Sequence, residues 1–199
     1  MAGINVLLTP VEELPPGSLG AIRRQVTESL ISLASTQLKI GSDSLVARDI
    51  RPYDDLAWCT HANFVTSALT TNIWNAQTDG ALTGYQEMIV TTGTPSNTMA
   101  DQRFVAIYGV RDMRTCFATK VTQAISLLKV DVGNSTKAIW DTTKLAAYKQ
   151  NPVGVCSSAV IIPQNTVYQI YGYIITVSTV CWVSLEGVVV EPRGKVISP

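Results

Sequence analysis

The chain has 199 residues, of which 46% are hydrophobic and only 15% are charged, and its formal net charge is zero. A chain of this length has room for one domain with a sizeable core and a short appendage. Zero net charge argues against a dedicated nucleic-acid binder, which needs a clustered basic face. A surface so poor in charge instead suits burial against other protein.

The sequence predicts neither export nor membrane insertion. It contains no basic start followed by an apolar core, and no run of about eighteen consecutive apolar residues. We therefore expect a soluble protein that is made and assembled without export.

Four cysteines are far apart and form no CxxC pair, which excludes zinc-ribbon and thioredoxin-type sites. They are Cys59, Cys116, Cys156 and Cys181. Buried thiols that act as small hydrophobic side chains are the first interpretation. Disulfide formation is the alternative interpretation for a protein from a hyperthermophile, in which intracellular disulfide bonds occur.

An amphipathic helix is the first regular element predicted along the chain. The prolines of EELPPG, residues 12–17, interrupt any earlier element, and Ser18 is the predicted N-cap. Apolar residues then recur at helical spacing up to Gly41, which is predicted to end the helix. These residues are Leu19, Ile22, Val26, Leu30, Leu33 and Leu38. This apolar stripe can pack on its own domain, on a neighbouring subunit or on lipid.

From residue 45 onwards the sequence has the pattern of an all-β domain, with turn-forming residues about every ten positions. The candidate strands are SLVARDI, AWCTHANFVTSAL, YQEMIVTT, RFVAIYGVRD, TCFATKVTQ, SLLKVDV, KAIW, AVIIP, TVYQIYGYIITVS and CWVSLEGVVVE. About eight to ten strands with no helix between them exclude a parallel α/β sheet and favour a sandwich or a barrel. Residues 71–84 and 91–102 are predicted loops, and residues 141–152 have room for a helical turn or two.

The strongest candidate for chemistry is the pair Cys59 and His61. His61 is the only histidine in the sequence, so every histidine-dependent mechanism depends on it. In a strand the two side chains share a face, as a metal site or a nucleophile pair requires. The further ligands, the orienting partner and the oxyanion hole are not specified by the sequence, so a structural role is favoured.

Other catalytic motifs are weaker still. Asp54 and Asp55 point to opposite faces of an extended chain, so a turn after Pro52 is favoured over a carboxylate dyad. GVCSSA lacks the GxSxG pattern of a nucleophile elbow, and no phosphate-binding glycine loop is present. We therefore predict no catalytic residue, no metal ligand and no cofactor.

The aromatic residues offer a possible stacking platform for sugars or bases. Tyr171 and Tyr173 share one face of a predicted strand, and an exposed pair would form a ligand surface. No Lys or Arg is interleaved with them, so nucleic acid is disfavoured and packing in a core or an interface is favoured. The other aromatic candidates are Trp58, Trp74, Trp140, Trp182 and Tyr168.

The final apolar segment, SLEGVVVE, is predicted to be an interior strand. Gly187 is expected to mark a bulge or a close backbone approach, and Pro192 to end the pairing because it has no N–H donor. Glu191 and Arg193 then lie on one side of the chain, where both can meet a partner subunit.

Two segments resemble a specific viral family. GNSTKAIWDTTKLAAYKQNPVG, residues 133–154, and LEGVVVEPRGKVISP, residues 185–199, resemble the major capsid proteins of tailless icosahedral viruses of extremophiles that contain an internal membrane. The shared pattern is G-N-x-x-K-A-x-W, a short Lys-Leu-Ala-Ala-Tyr segment, and an apolar final strand that ends in E-P-R-G-K. The resemblance covers about the last third of the chain and carries no enzyme motif.

The resemblance implies a single eight-stranded jelly-roll sandwich in residues 45–199, preceded by an N-terminal arm and amphipathic helix in residues 1–44. A jelly roll closes its sheets with strands distant in sequence, so its last strand can be central and buried. The implied function is that of a major capsid subunit, which assembles with copies of itself and a paralogous partner into pseudo-hexameric capsomers over an internal membrane. Its expected location is the virion, and the host cytoplasm during assembly. The zero net charge differs from the acidic members of salt-loving hosts and favours a thermal or acidic habitat.

Six side chains are the candidate assembly contacts: Glu191, Arg193, Arg23, Arg24, Trp140 and Tyr148. The helix, or the segment GINVLLTPV at residues 3–11, is the candidate for an inward contact with a neighbour or with the viral membrane. No sequence-specific binding of nucleic acid is expected. The alternative hypothesis is a virion spike or lectin-like sandwich that binds host-surface glycans through loops 72–84 and 92–102.

Overall fold

A computed structural model describes residues 7–56, 76–79, 83–88, 97–112, 125–148, 153–175 and 180–195. The strands of these residues form two antiparallel sheets, and buried apolar side chains from both sheets belong to one core. The predicted all-β sandwich with an N-terminal helix is thereby confirmed at the level of a two-sheet architecture.

The larger sheet, which we call sheet I, contains β1 Thr9–Pro10, β2 Leu45–Asp49, β3 Ala76–Asp79, β5 Phe104–Asp112, β8 Val153–Ile162 and β10 Val180–Pro192. Its strand order is β1-β8-β5-β10-β2, and β3 also pairs with β10. Sheet II contains β4 Gly84–Glu87, β6 Ile125–Val132, β7 Ser135–Asp141 and β9 Tyr168–Ile174. Its strand order is β4-β9-β6-β7.

The predicted helix is present as α1, Ser18–Leu38, with small differences at both ends. Gly17, at a φ of 85°, takes the N-cap position that was predicted for Ser18. At the other end Lys39 adopts a left-handed conformation, with a φ of 58°, so the helix stops before Gly41. A left-handed residue commonly ends a helix, and here a lysine takes the place that the sequence suggested for glycine.

Helix α1 packs on its own domain, against β10 and β5 of sheet I. Leu30 and Ala34 are fully buried there, and the remaining apolar stripe packs around them. Because α1 covers one face of sheet I and sheet II lies on the other, successive side chains are buried in the middle of the sheet, in Phe104–Tyr108 of β5 and in Val188–Glu191 of β10. In the described part of the chain no helix is long and apolar enough to cross a bilayer.

Strand β10 is interior, as predicted for the final apolar segment. It pairs with β5 on one side and with β2 and β3 on the other, and Val188, Val189 and Val190 are buried. The register shifts at Glu186 and Gly187, and a Cβ at Gly187 would lie 2.7 Å from the Ala106 carbonyl oxygen. The predicted bulge and the close backbone approach are therefore both present, and the strand ends at Pro192.

Several elements differ from the sequence-based prediction. Strand β8 begins before the predicted segment AVIIP and includes GVCSSA. Val153 and Val155 are buried there, although glycine and serine interrupt the apolar pattern. Strand β3 lies inside the predicted loop 71–84. The expected turns occur as a short helix, α2 Pro52–Leu56, and a 3-10 turn, Thr143–Ala147. The predicted strands AWCTHANFVTSAL and TCFATKVTQ lie outside the described residues.

Candidate functional site

Four charged side chains form a largely buried group near the end of β10, which we call the charge cluster. It consists of Arg48 on β2, Asp55 on α2, Arg103 just before β5, and Glu191 on β10. The side chains of Asp55 and Glu191 are 1% and 5% exposed, whereas both arginines are 25% exposed. The cluster thus joins four segments that are distant in sequence.

Asp55 has the most contacts in the charge cluster. Arg48 donates two hydrogen bonds of 2.7 Å to its two carboxylate oxygens. The backbone N–H of Arg51 donates a third, also 2.7 Å long, and Arg103 Nη1 lies 3.5 Å from Asp55 Oδ1. The hydrogen bond to Asp55 is the main cause that raises the pKa of the Arg48 guanidinium.

Glu191 completes the charge cluster from β10. Arg103 Nε donates to Glu191 Oε1, and Arg48 Nη2 lies 3.5 Å from Glu191 Oε2. Two arginines then balance two carboxylates, which is the condition under which buried charges are tolerated. Glu191 was predicted to meet a partner subunit. In the structure its carboxylate contacts Arg103 and Arg48 of its own chain. We therefore interpret the cluster as an ion-pair network that holds β2, α2 and β10 to the start of β5.

A second group of side chains lies on the outer face of sheet II, and we call it the tyrosine patch. It consists of Tyr85 on β4, Tyr171 and Tyr173 on β9, and Lys129 on β6. Tyr85 pairs in register with Tyr173, and Lys129 with Tyr171. Tyr171 and Tyr173 alternate with buried residues along β9, so the two tyrosines point away from the core.

The tyrosine patch is ordered by its own contacts. The rings of Tyr85 and Tyr173 meet edge to face, with centroids 5.0 Å apart. Lys129 Nζ lies 4.6 Å from the centre of the Tyr171 ring and 3.0 Å from Asp131 Oδ2. Tyr85 and Tyr173 remain 43% and 37% exposed. The patch therefore presents two exposed aromatic rings, beside a lysine that is 28% exposed and paired with the mostly covered Asp131.

Only part of the tyrosine patch could be predicted from the sequence. The pair Tyr171 and Tyr173 was predicted to share a strand face, and the structure confirms it. Tyr85 and Lys129 were missed, because they lie on other strands and reach the patch only through strand register. The available signal for Lys129 was the alternation in SLLKVDV, where it stands between the buried Leu128 and Val130.

The other predicted assembly contacts occupy different environments. Trp140 is wholly buried in the core. The hydroxyl of Tyr148 donates to a carboxylate oxygen of Glu13, and Arg23 forms a 2.7 Å ion pair with Asp49. Arg24 and Arg193 are exposed. Arg23 is exposed as well, so three of the six predicted contacts are accessible arginines, and Arg23 is the one held by an ion pair within the chain.

Most of the sequence-based candidates for chemistry lie outside the described residues. Cys59, His61, Trp58 and Trp74 lie outside them, as does the side chain of Trp182. Cys156 is a buried free thiol, and burial raises its pKa to about 11, the opposite of what a nucleophile needs. Within the described ranges no group of three or more His, Cys, Asp or Glu side chains is placed to hold a metal ion.

The chain matches no model of a known protein family, and no curated protein matches it either.

Proposed function

We propose that this protein is a structural subunit of a viral shell, a major capsid protein built on a single jelly roll. In this proposal it assembles with copies of itself and a paralogous partner into pseudo-hexameric capsomers of an icosahedral capsid. The strand order is the observation that carries the proposal, together with the resemblance of residues 133–154 and 185–199 to such proteins.

The strand order supports a jelly roll in the following way. Setting aside the short β1 and β3, the strands can be lettered B to I in chain order, so that β2 is B and β10 is I. Sheet I then has the order B-I-D-G and sheet II the order C-H-E-F. This alternation of strands between two sheets is what two interlocked Greek keys produce, an arrangement that capsid and lectin domains share.

The residues that carry the resemblance have identifiable roles in this fold. Gly133, at a φ of 62°, is the first residue of the two-residue turn between β6 and β7, a position that favours glycine. Trp140 fills the core, and Leu145 from the 3-10 turn is fully buried. The second segment supplies the bulged, interior part of β10. The residues of the resemblance therefore lie where this sandwich needs a particular residue type, at a turn, in the core and at a bulge. This supports a fold shared with the capsid proteins that the segments resemble.

An inward contact, with a neighbouring subunit or with the viral membrane, is proposed for the segment before α1. The apolar stripe of helix α1 packs against sheet I, so sheet I already covers it. Leu7, in contrast, is 70% exposed and precedes the buried Leu8. An exposed leucine at this point offers apolar surface without disturbing the core.

Electron microscopy of the purified protein, alone and with its paralogous partner, tests the proposal. We expect capsomer-sized particles or a pseudo-hexagonal lattice as the protein concentration rises.

Arg193→Glu should abolish assembly while the circular dichroism spectrum is retained, because the exposed charge is reversed at the proposed contact. Lys144→Glu reverses another exposed charge outside the candidate contacts and should assemble normally. A protein that stays monomeric at every concentration would contradict the proposal.

A glycan-binding sandwich is the second candidate, and the exposed rings of the tyrosine patch favour it. Lectin domains use the same architecture. This alternative predicts a stable monomer or trimer that binds host-surface glycans, with binding lost on Trp74→Ala in the predicted loop 72–84 or on Tyr173→Ala in the patch. Glycan-array binding together with sedimentation analysis separates the two candidates.

A further inference from the structure

We propose that the tyrosine patch is the surface through which two copies of this chain contact each other, a step that rests on the proposed assembly function. The sandwich has two outer faces. Helix α1 packs on that of sheet I and buries Leu30 and Ala34 against it. The outer face of sheet II, in contrast, keeps Tyr85 and Tyr173 substantially exposed.

Exposed apolar side chains are concentrated on this face. The large hydrophobic side chains that are exposed among the described residues are Leu7, Tyr85, Ile161, Tyr173 and Ile175. Tyr85 and Tyr173 belong to the patch, and Ile175 continues the outward alternation of β9. Scattered exposed hydrophobics need no explanation, but a group on one face is typical of an interaction site.

The residue types fit a protein partner. Tyrosine is enriched in protein interfaces and among the residues whose removal costs most binding energy, since it offers a large, rigid surface with a polar tip. Only one lysine accompanies the three tyrosines, which is too little positive charge for a nucleic-acid strand. The patch therefore suits a protein surface of similar, mixed character.

Charge points to a second copy of the same chain. A twofold contact sets one surface against itself, so the surface must be complementary to itself. The positive Lys129 and the negative Asp131 lie side by side, 3.0 Å apart and 28% and 16% exposed, so their charges offset each other and no like-charge repulsion opposes a twofold contact. The formal net charge of zero also means that two copies do not repel each other at a distance.

Order within the patch lowers the cost of association. The Tyr85 and Tyr173 rings already contact each other, and the Tyr171 hydroxyl donates a 2.8 Å hydrogen bond to Gln169. Lys129 is held between the Tyr171 ring and Asp131. Side chains fixed before binding lose little conformational freedom when the interface forms.

The size of the face predicts a weak contact. The four strands β4, β9, β6 and β7 have 4, 7, 8 and 7 residues and, at the usual strand spacing and rise, cover roughly 400 Å² in projection. Two such faces together fall below the roughly 1,000 Å² of a stable specific interface and in the range of weak contacts. A single pair of copies should therefore dissociate readily, and the contact gains strength only when many copies are present together, as in a shell.

Sedimentation velocity across a concentration series tests the inference with the double variant Tyr85→Ser/Tyr173→Ser. We expect the dissociation constant of the first dimer to rise about tenfold or more, as for hot-spot tyrosines, with an unchanged circular dichroism spectrum. Ile161→Ser is the matched control, because Ile161 has the same 37% exposure as Tyr173 but lies on β8 of sheet I. Its dimerisation should equal that of the wild type.

A second variant covers the case in which the double variant fails to fold. Lys129→Glu keeps all three tyrosines and places only negative charge beside Asp131 on both copies, so it should also weaken the dimer. If the wild type assembles and both patch variants assemble equally well, this contact is wrong while the capsid proposal stands. The same holds if Ile161→Ser weakens the dimer as much. If the wild type stays monomeric, or binds glycans through the patch as a monomer, both proposals are wrong.

Discussion

Asp54 and Asp55 are neighbours in the chain but have opposite environments. Asp54 is exposed, whereas the side chain of Asp55 is 1% exposed and binds Arg48. Removing one partner from a buried ion pair leaves an uncompensated charge, at a cost of about 3 kcal/mol. We therefore expect Asp55→Ala to lower the free energy of unfolding by about that amount, measured by urea denaturation.

Asp54→Ala is the matched control, since it deletes the same group one residue away on the surface. Its effect should stay within about 0.5 kcal/mol. Equal effects of the two substitutions would show that the charge cluster does not stabilise the fold. Asp55→Asn should cost about as much as Asp55→Ala, because it keeps the shape but leaves the same arginine charge uncompensated.

Some roles of single residues could be predicted from the sequence and others could not. The bulge at Gly187 and the strand end at Pro192 follow from the backbone properties of glycine and proline, which need no knowledge of partners. The partners of Glu191 and Lys129 depend on strand register across the whole chain. The side chains that contact Glu191 and Lys129 could not be predicted from the sequence, since no local pattern encodes the register between distant strands.

Helix α1 provides a test of packing between elements. Leu30 is fully buried between the helix and sheet I, so Leu30→Ala should leave a cavity and lower the free energy of unfolding by about 3 kcal/mol. Ser32→Ala, on the exposed side of the same helix, should have almost no effect. Chemical denaturation of both variants measures the difference. A small effect of Leu30→Ala would mean that α1 lies loosely on the sheet.

Strongly periodic elements were predicted well, and short or punctuated ones were not. The pattern of α1 extends over many turns, so its existence was clear and only its ends differed. In β8, Gly154 and the exposed Ser157 and Ser158 interrupt the apolar pattern, so residues 153–158 were not among the predicted strands. The four residues of β3 are too few to show any period.

Assembly should be visible in the thermal stability of the whole molecule. If native subunits associate and unfolded chains do not, mass action raises the midpoint Tm with protein concentration. A concentration of about a hundred times the dissociation constant adds about 2.7 kcal/mol, which corresponds to roughly 5–10 °C for a chain of this size. Differential scanning calorimetry over a concentration series measures this, and a Tm independent of concentration would contradict association of the native state.

The central place of β10 also affects how the protein is made. Leu45 pairs with Pro192, so β2 has to wait for almost all the described chain to be translated before it finds its neighbour. Until then β5 lacks its neighbour on one side, so the apolar side chains of sheet I are not fully covered. A polypeptide cut short before β10 would lack the strand that joins β2 and β3 to β5, and we expect it to stay unfolded.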